Sequence, residues 1–279
     1  MANLTNYHSH CSFCDGRMPM EDFVRAAAKA GFSSYGISSH APLPYSTRWT
    51  MEKEDLPAYL EEIKRLRKLF APQLEVYAGL EIDYLDEMHN PASPLFTELP
   101  LDYRIGSVHI LHDKDGHPVE IDCSKETFQA RLIEQFDNHL EEVVRAYYRT
   151  QLRMLELGHI DILGHCDKLD SRADFCHPGI LQEAWYRKIM GNFLDTVADS
   201  GIMVEINTKK YKEDGHFFPD ESLFHELKRR NIPVVVNSDA HYADRINASR
   251  PEALAALIKA GYRTVREMHH GEWMDSPIE

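Results

Sequence analysis

Short apolar, β-rich segments alternate with amphipathic helical segments along the 279-residue chain, which predicts an α/β protein on a parallel sheet. About seven such units follow one another, and no internal repeat, Gly/Ser linker or composition shift divides them. Nearly every predicted strand ends on a histidine or a carboxylate. Together these observations predict a closed or nearly closed α/β barrel, because only there do all strand ends converge on one mouth. A single domain over residues 1–279 is expected.

The elements follow in order. A short first strand precedes His8. A helix over 20–30 carries Phe23, Ala27 and Ala30 on one face and stops at Gly31, a natural helix end. A strand covers 34–38. The helix over 52–70 repeats Leu56, Leu60, Ile63, Leu66 and Phe70 and ends before Pro72, which cannot continue it. Strands follow at 74–78 and 103–108. One long helix over 126–157 repeats Phe128, Leu132, Phe136, Leu140, Val143 and Tyr147. Strands at 160–164, 202–206 and 233–237 then alternate with helices at 181–200, 221–230 and 251–260. The last helix has proline in its first turn, where a missing N–H is harmless.

Composition excludes several classes. Hydrophobic residues make up 43% and charged residues 27%, so a packed core is expected rather than disorder. No apolar run approaches the ~18 residues of a membrane span, and no basic-then-apolar leader opens the chain. The net charge of −14 repels phosphate backbones, so neither a nucleic-acid nor a membrane partner is expected. Five cysteines, an odd and sparse set, do not fit a disulfide framework and point to a reducing, cytoplasmic setting. Cys11 and Cys14 form a lone CxxC, better read as small side chains around a turn than as a dithiol or zinc knuckle. Of the 16 histidines, His89, His112, His117, His139, His269 and His270 lie in polar surroundings and are expected at the surface.

Six other histidines sit at strand ends. His8 and His10 follow the first strand, His40 the second, Glu81 the third, His109 the fourth and His165 the fifth. Glu205 and Asn207 end the sixth, and Asp239 and His241 follow the last. Imidazole nitrogens and carboxylate oxygens together suit zinc, manganese or iron. The His-x-His and Asp-x-His spacings place both side chains on one side of an extended segment, so each pair can chelate.

The run Tyr7-His8-Ser9-His10-Cys11-Ser12-Phe13-Cys14-Asp15-Gly16 resembles the opening motif of the polymerase-and-histidinol-phosphatase (PHP) superfamily. Gly36-Ile37-Ser38-Ser39-His40-Ala41-Pro42, Gly79-Leu80-Glu81, Gly106-Ser107-Val108-His109, Gly164-His165-Cys166-Asp167, Glu205-Ile206-Asn207-Thr208 and Ser238-Asp239-Ala240-His241 resemble its later motifs, in order. The histidinol-phosphatase branch is the most similar, through Asp15-Gly16 and His40-Ala41-Pro42-Leu43-Pro44. The resemblance implies a distorted, TIM-like (β/α)7 barrel with two to three divalent ions at its mouth. One ion would take His8, His10, Glu81 and Asp239. A second would share Glu81 and add His109 and His165. A third would take Asp15, His40 and His241. Asp15 is singled out by the resemblance alone, whereas Glu205 is flagged by the strand pattern alone. Asn237, Lys209-Lys210-Tyr211-Lys212 and Lys168-Leu169-Asp170-Ser171-Arg172 depart from the family pattern.

The reaction implied is hydrolysis of L-histidinol phosphate, a small phosphate monoester, by in-line attack of a metal-bridging hydroxide without a phosphoenzyme. Asp239 and His241 are the expected catalytic residues, Asp239 orienting the nucleophile. Phosphate charge calls for cations: Arg17 first, then Arg172, with Lys168 and Lys209 behind them. Tyr45 and Trp49 could cover an imidazole ring. Three alternatives stay open: a PHP phosphoesterase acting on another small ester or nucleotide, an amidohydrolase-type hydrolase, and a metal-binding protein without turnover. The amidohydrolase class typically uses a carboxylated lysine where Glu81 stands here.

Overall fold

A computed structural model describes residues 3–278. The chain runs β1 (Thr5–Asn6), α1 (Met20–Ala30), β2 (Ser34–Ile37), α2 (Leu56–Phe70), β3 (Glu75–Asp83), α3 (Pro94–Thr97), β4 (Tyr103–Ser107), β5 (Ile110–His112), β6 (Pro118–Glu120), α4 (Lys125–Gln135) and α5 (Leu140–Leu157). It continues through β7 (Ile162–Leu163), α6 (Asp170–Cys176), α7 (Ala184–Ser200), β8 (Met203–Asn207), α8 (Tyr211–Asp214), α9 (Phe224–Arg229), β9 (Val234–Asn237), α10 (Arg250–Lys259), β10 (Thr264–His269) and β11 (Glu272–Pro277).

Seven strands form one parallel sheet in the order β1-β2-β3-β4-β7-β8-β9. Its two edges meet just beyond the strands: His10 N–H donates to Ala240 O (2.8 Å) and Ala240 N–H to His8 O (3.2 Å). Asn237 Oδ1 also accepts from Tyr7 N–H at 2.8 Å. The barrel is thus nearly closed, as expected.

Strand side chains alternate, so every second residue points inward. The inward set on β3 is Tyr77, Gly79, Glu81 and Asp83. Its apolar end joins Tyr7, Tyr103, Ile105, Ile162, Met203 and Val235 in the barrel interior. Tyr103 crosses that interior and donates its hydroxyl to Tyr7 O at 2.5 Å. A Cβ on Gly36 or Gly79 would overlap its ring, so any larger residue there has to displace Tyr103. The antiparallel hairpin β10–β11 closes this end, with Trp273 edge-on to Tyr7 at 4.9 Å. Larger apolar layers pack the helices against the outer faces of the strands. The opposite end of the interior is polar and carries the site.

Several expected boundaries differ. The helix expected over 126–157 is two, because Asp137 and Asn138 take left-handed φ values of 49° and 61° between α4 and α5. Apolar periodicity continues through that break and hides it. The helices expected from 52, 181 and 221 open as short 3-10 turns. β3 runs on to Asp83, so Glu81 lies within a strand rather than after it. Hairpins β5–β6 and β10–β11 and the short helix α6 had no periodic signal. His89 is half-buried, its ring edge-on to Phe96 at 5.3 Å, rather than a surface residue.

Candidate metal centre

Six of the seven barrel strands deliver a donor to one mouth, and the seventh, β8, places Glu205 behind His8. Thr5–Asn6 leads into His8 and His10, and Asp15 lies on the following loop. His40 pairs as an isolated parallel bridge with Glu81 of β3. His109 and His165 follow β4 and β7, and Asp239 and His241 follow β9. His8, His10, His40, Glu81, His109, His165 and Asp239 are all buried, with Asp15 and His241 at the rim.

Four donor atoms form a tight group. His8 Nε2 lies 3.1 Å from Glu81 Oε2 and 3.8 Å from Asp239 Oδ1. His10 Nε2 lies 3.5 Å from the same glutamate oxygen and 3.1 Å from Asp239 Oδ1. Tetrahedral bonds of about 2.0–2.1 Å place ligand atoms roughly 3.3 Å apart, which these spacings bracket. Glu81 Oε1 reaches the other way, to His165 Nε2 at 2.8 Å and His109 Nε2 at 3.6 Å. Asp15 lies 3.9 Å from His40 Nε2 and 3.3 Å from His241 Nε2, and His10 Nδ1 is 3.9 Å from Asp15. The nine side chains thus converge as one cluster. His40 Nδ1 is also only 3.0 Å from Glu81 Oε2, so the three groups overlap.

Electrostatics and satisfaction test whether ions fit. His8 Nε2, His10 Nε2, Asp15 Oδ1, His40 Nδ1, Glu81 Oε2, His109 Nε2 and His165 Nδ1 are buried without a hydrogen-bond partner. Such groups are costly to bury unpaired, yet here they crowd together. Burial opposes charge on His8, but Glu205, Glu81 and Asp239 push it well above the ordinary histidine range. A proton there stands where a divalent cation would neutralise the same carboxylates. Burial, then the neighbouring rings of His40 and His241, hold His10 well below that range, leaving neutral imidazole. Burial and Lys168 lower His165 likewise. Glu81 and Asp239 stay ionised despite burial, held low by His8 and His40 and by Lys209 and His8 respectively. Burial opposes charge on His109 too, but Asp83 and Glu81 raise it. The ionised carboxylates and the neutral rings of His10 and His165 are ready for metal, and a divalent ion would take the place of the protons that the carboxylates draw onto His8 and His109, so the residues fit divalent ions.

A second layer fixes the rings. His8 Nδ1 is 2.6 Å from Glu205 Oε1. Glu205 also accepts from Asn237 Nδ2 (3.0 Å), Asn207 Nδ2 (3.1 Å) and His165 N–H (3.1 Å). Asn237, which departs from the family pattern, therefore ties Glu205 to Tyr7 across the barrel seam. Asp83 plays the same part for His109, with both oxygens 3.1 Å from Nδ1. Glu205 was visible as a strand-end carboxylate. Asp83 was missed, although its i+2 relation to Glu81 was the available signal. His165 and Asp239 sit at φ 21° and 47°, an uncommon region for residues with a Cβ and one that clusters at functional sites.

A cavity of about 130 Å³ opens over the cluster, lined in part by Trp49, Glu120, Asp122, Lys168 and Lys209. Lys209 Nζ lies 3.1 Å from Asp239 Oδ1, and Lys168 Nζ 2.7 Å from Asp122 Oδ2. The arginines expected to lead are not in its lining. Arg17 is exposed, its backbone N–H bound to His241 O at 2.9 Å. Arg172 is folded back onto Asp122 (2.7 Å), Cys123 O (2.8 Å) and Lys168 O (2.7 Å). Trp49 stands edge-on to His40 at 4.8 Å and His109 at 5.5 Å, whereas Tyr45 is exposed. Cys11 and Cys14 are free thiols joined by a turn, Cys14 N–H to Cys11 O at 2.9 Å.

The model of the PHP domain matches residues 6–209, most of the chain. The chain belongs to the PHP domain family. Among curated PHP relatives, a Deinococcus radiodurans protein named "Probable histidinol-phosphatase" is 28% identical over 96% of this chain and 98% of its own length. The histidinol-phosphatase of Bacillus subtilis is 28% identical over 85% of this chain and 92% of its own. Among solved structures, the Lactococcus lactis histidinol phosphate phosphatase, complexed with zinc, L-histidinol and phosphate, superposes with a TM-score of 0.72. It is 21% identical, over 98% of this chain and 99% of that one, and shares the fold. No helix among the described residues is long and apolar enough to cross a membrane.

Proposed function

We propose that this PHP chain, acting as a single domain, hydrolyses L-histidinol phosphate to L-histidinol and phosphate with two to three divalent ions held by His8, His10, Asp15, His40, Glu81, His109, His165, Asp239 and His241. The observation that carries this reading is the convergence of those side chains, with unpartnered buried donor atoms, beneath a cavity edged by two lysines. The names of the relatives support the substrate. The donor set admits zinc, manganese or iron.

Bound ions would supply Lewis acidity, lowering the pKa of water and neutralising phosphoryl oxygens. The chain supplies placement. Lys168 and Lys209 present ammonium groups at the cavity, where they offset phosphate charge left over by the cluster. Lys209 also holds the buried carboxylate of Asp239, which stays ionised and accepts a hydrogen bond from water, orienting it toward phosphorus. His241, half-buried beside Lys209, forms the outer lip. Glu205 and Asp83 keep His8 and His109 in one ring orientation. At about 130 Å³ the cavity is smaller than the 300–1,000 Å³ of drug-sized sites, which suits a phosphoryl group with its alcohol projecting outward.

The test is phosphate release from L-histidinol phosphate by protein loaded with zinc, manganese or iron, set against nucleoside monophosphates and phosphotyrosine. The highest kcat/KM is expected for L-histidinol phosphate, with loss on chelation and in His8→Ala and Asp239→Ala. Turnover that survives in both variants would refute the mechanism, and a faster ester in the panel would refute the substrate.

A further inference from the structure

Among the described residues, the two edges of the barrel share no strand ladder, only the isolated bridge of Ser9 with Ala240. Just before that bridge, Tyr7 and Ser238 are buried, and their backbone N–H groups need acceptors that a ladder would have provided. Two asparagine side chains provide them instead. Asn237 Oδ1 accepts from Tyr7 N–H at 2.8 Å. Asn6 Oδ1 accepts from Ser238 N–H at 2.7 Å and from Ser238 Oγ at 3.1 Å. Each asparagine thus reaches across the seam to the residue that follows its counterpart. Both are buried, and each amide nitrogen also has a partner. Asn6 Nδ2 donates to His8 O at 3.0 Å, and Asn237 Nδ2 donates to Glu205 Oε1 at 3.0 Å.

This reciprocal clasp stands directly behind two of the proposed metal ligands. Tyr7 precedes His8, and Ser238 precedes Asp239. His8 and His10 arrive from one barrel edge and Asp239 from the other, with Nε2 to Oδ1 distances of 3.8 and 3.1 Å. Metal–ligand distances tolerate only about 0.2 Å, so the gap between the edges has to be held about as closely. Asp239 has φ 47°, which a residue with a Cβ keeps only where its surroundings enforce it. Further side chains complete the circuit. Asn207 Nδ2 donates to Glu205 Oε2 at 3.1 Å and to Asp239 Oδ2 at 3.2 Å, while Glu205 Oε1 holds His8 Nδ1 at 2.6 Å. Arg250 fastens the seam again, Nη1 donating to Thr5 O at 3.1 Å and Val236 O at 3.0 Å, but three residues before His8 and Asp239. By contrast, Glu81, His109 and His165 come from β3, β4 and β7, which regular parallel ladders join.

We propose that Asn6 and Asn237 form a positioning device that sets the distance between His8 and Asp239, and with it the affinity of the ion those residues share, while leaving the ion at Glu81, His109 and His165 largely unaffected. The inference rests on the metal ligands named under the proposed function. It assigns the asparagines no contact with substrate.

The experiment titrates the metal-depleted full chain with zinc against a chromophoric chelator, with folding checked by near-UV circular dichroism and urea unfolding. Asn6→Ala and Asn237→Ala should each weaken one zinc equivalent by about tenfold or more, as loss of a partner behind a metal ligand does, and leave another within about twofold. The double variant should lose less than the product of the single losses, because the two amides act as one clasp. Phosphatase kcat should fall in limiting zinc and recover in excess zinc, with KM for L-histidinol phosphate within about twofold. Asn237→Asp keeps the shape and the acceptor for Tyr7 N–H but replaces the donor to Glu205, and it gives the test if Asn237→Ala does not fold. Wild-type affinity at every equivalent in folded variants would overturn the proposal. So would equal weakening of all equivalents in step with lost stability, the mark of a merely structural role. Zinc uptake by the wild type without turnover would refute the substrate reading and leave the clasp standing, whereas no zinc uptake by the wild type would overturn both.

Discussion

Glu205→Gln removes one charge at constant side-chain volume and leaves all nine proposed metal ligands in place. The carboxylate is fully buried and takes hydrogen bonds from three sides while holding His8 Nδ1 at 2.6 Å. Burial works against its ionisation, but His8 beside it keeps the carboxyl below its ordinary range. Glutamine has one acceptor oxygen and one NH2, and that NH2 must face at least one existing donor. Two effects follow. Loss of a carboxylate behind a metal-binding histidine lowers metal affinity by roughly 10–100-fold, about 1.4–2.7 kcal/mol. A buried donor left unpaired costs about 1–3 kcal/mol of stability in the metal-free protein. Competition against a chromophoric chelator measures the first, and denaturant unfolding of the metal-free protein measures the second. Phosphatase activity of the variant should recover in excess metal. Metal affinity within about twofold of wild type would refute the idea that Glu205 acts through His8.

Other outcomes follow from the same geometry. Lys209→Ala should lower kcat/KM by about 10–100-fold, the loss of a charge-assisted contact, whereas Arg17→Ala should change it by less than about twofold. Comparable losses in both would place the phosphate elsewhere. Gly79→Ala should destabilise the fold by about 1–3 kcal/mol, seen as a lower denaturation midpoint, because the new methyl displaces Tyr103 from the barrel interior. Asp170 is pushed up to about 7 by burial, even though Tyr186 and Tyr148 hydrogen bonds act the other way. Its folded value exceeds an unfolded value of about 4, so the native state holds the extra proton between these limits. Stability should therefore fall as pH rises from about 4 to 7, by up to about 1.4 kcal/mol per pH unit. Asp170→Asn should flatten that slope in pH-dependent unfolding, and an unchanged slope would assign it to other groups.

The amino-acid order was enough to predict the barrel and to name, Asp15 through the family resemblance, the side chains that meet at its mouth. Apolar alternation marked the strands, and a histidine or acid at each strand end could have only one common destination once the strands were parallel neighbours. The lone CxxC and the acidic balance were equally legible. The break between α4 and α5 was not, because the apolar stripe continues while Asp137 and Asn138 turn the backbone left-handed. Asp83 stayed hidden because its role depends on β3 extending two residues past Glu81. The choice among cations also escaped sequence reasoning. Arg17 and Lys209 are both basic residues near a ligand motif, and only side-chain direction turns one toward solvent and the other onto Asp239. Local chemistry is written residue by residue, whereas cavity lining depends on which distant surfaces meet. The barrel seam joining His8 and His10 to Ala240 exists only after the chain has closed on itself.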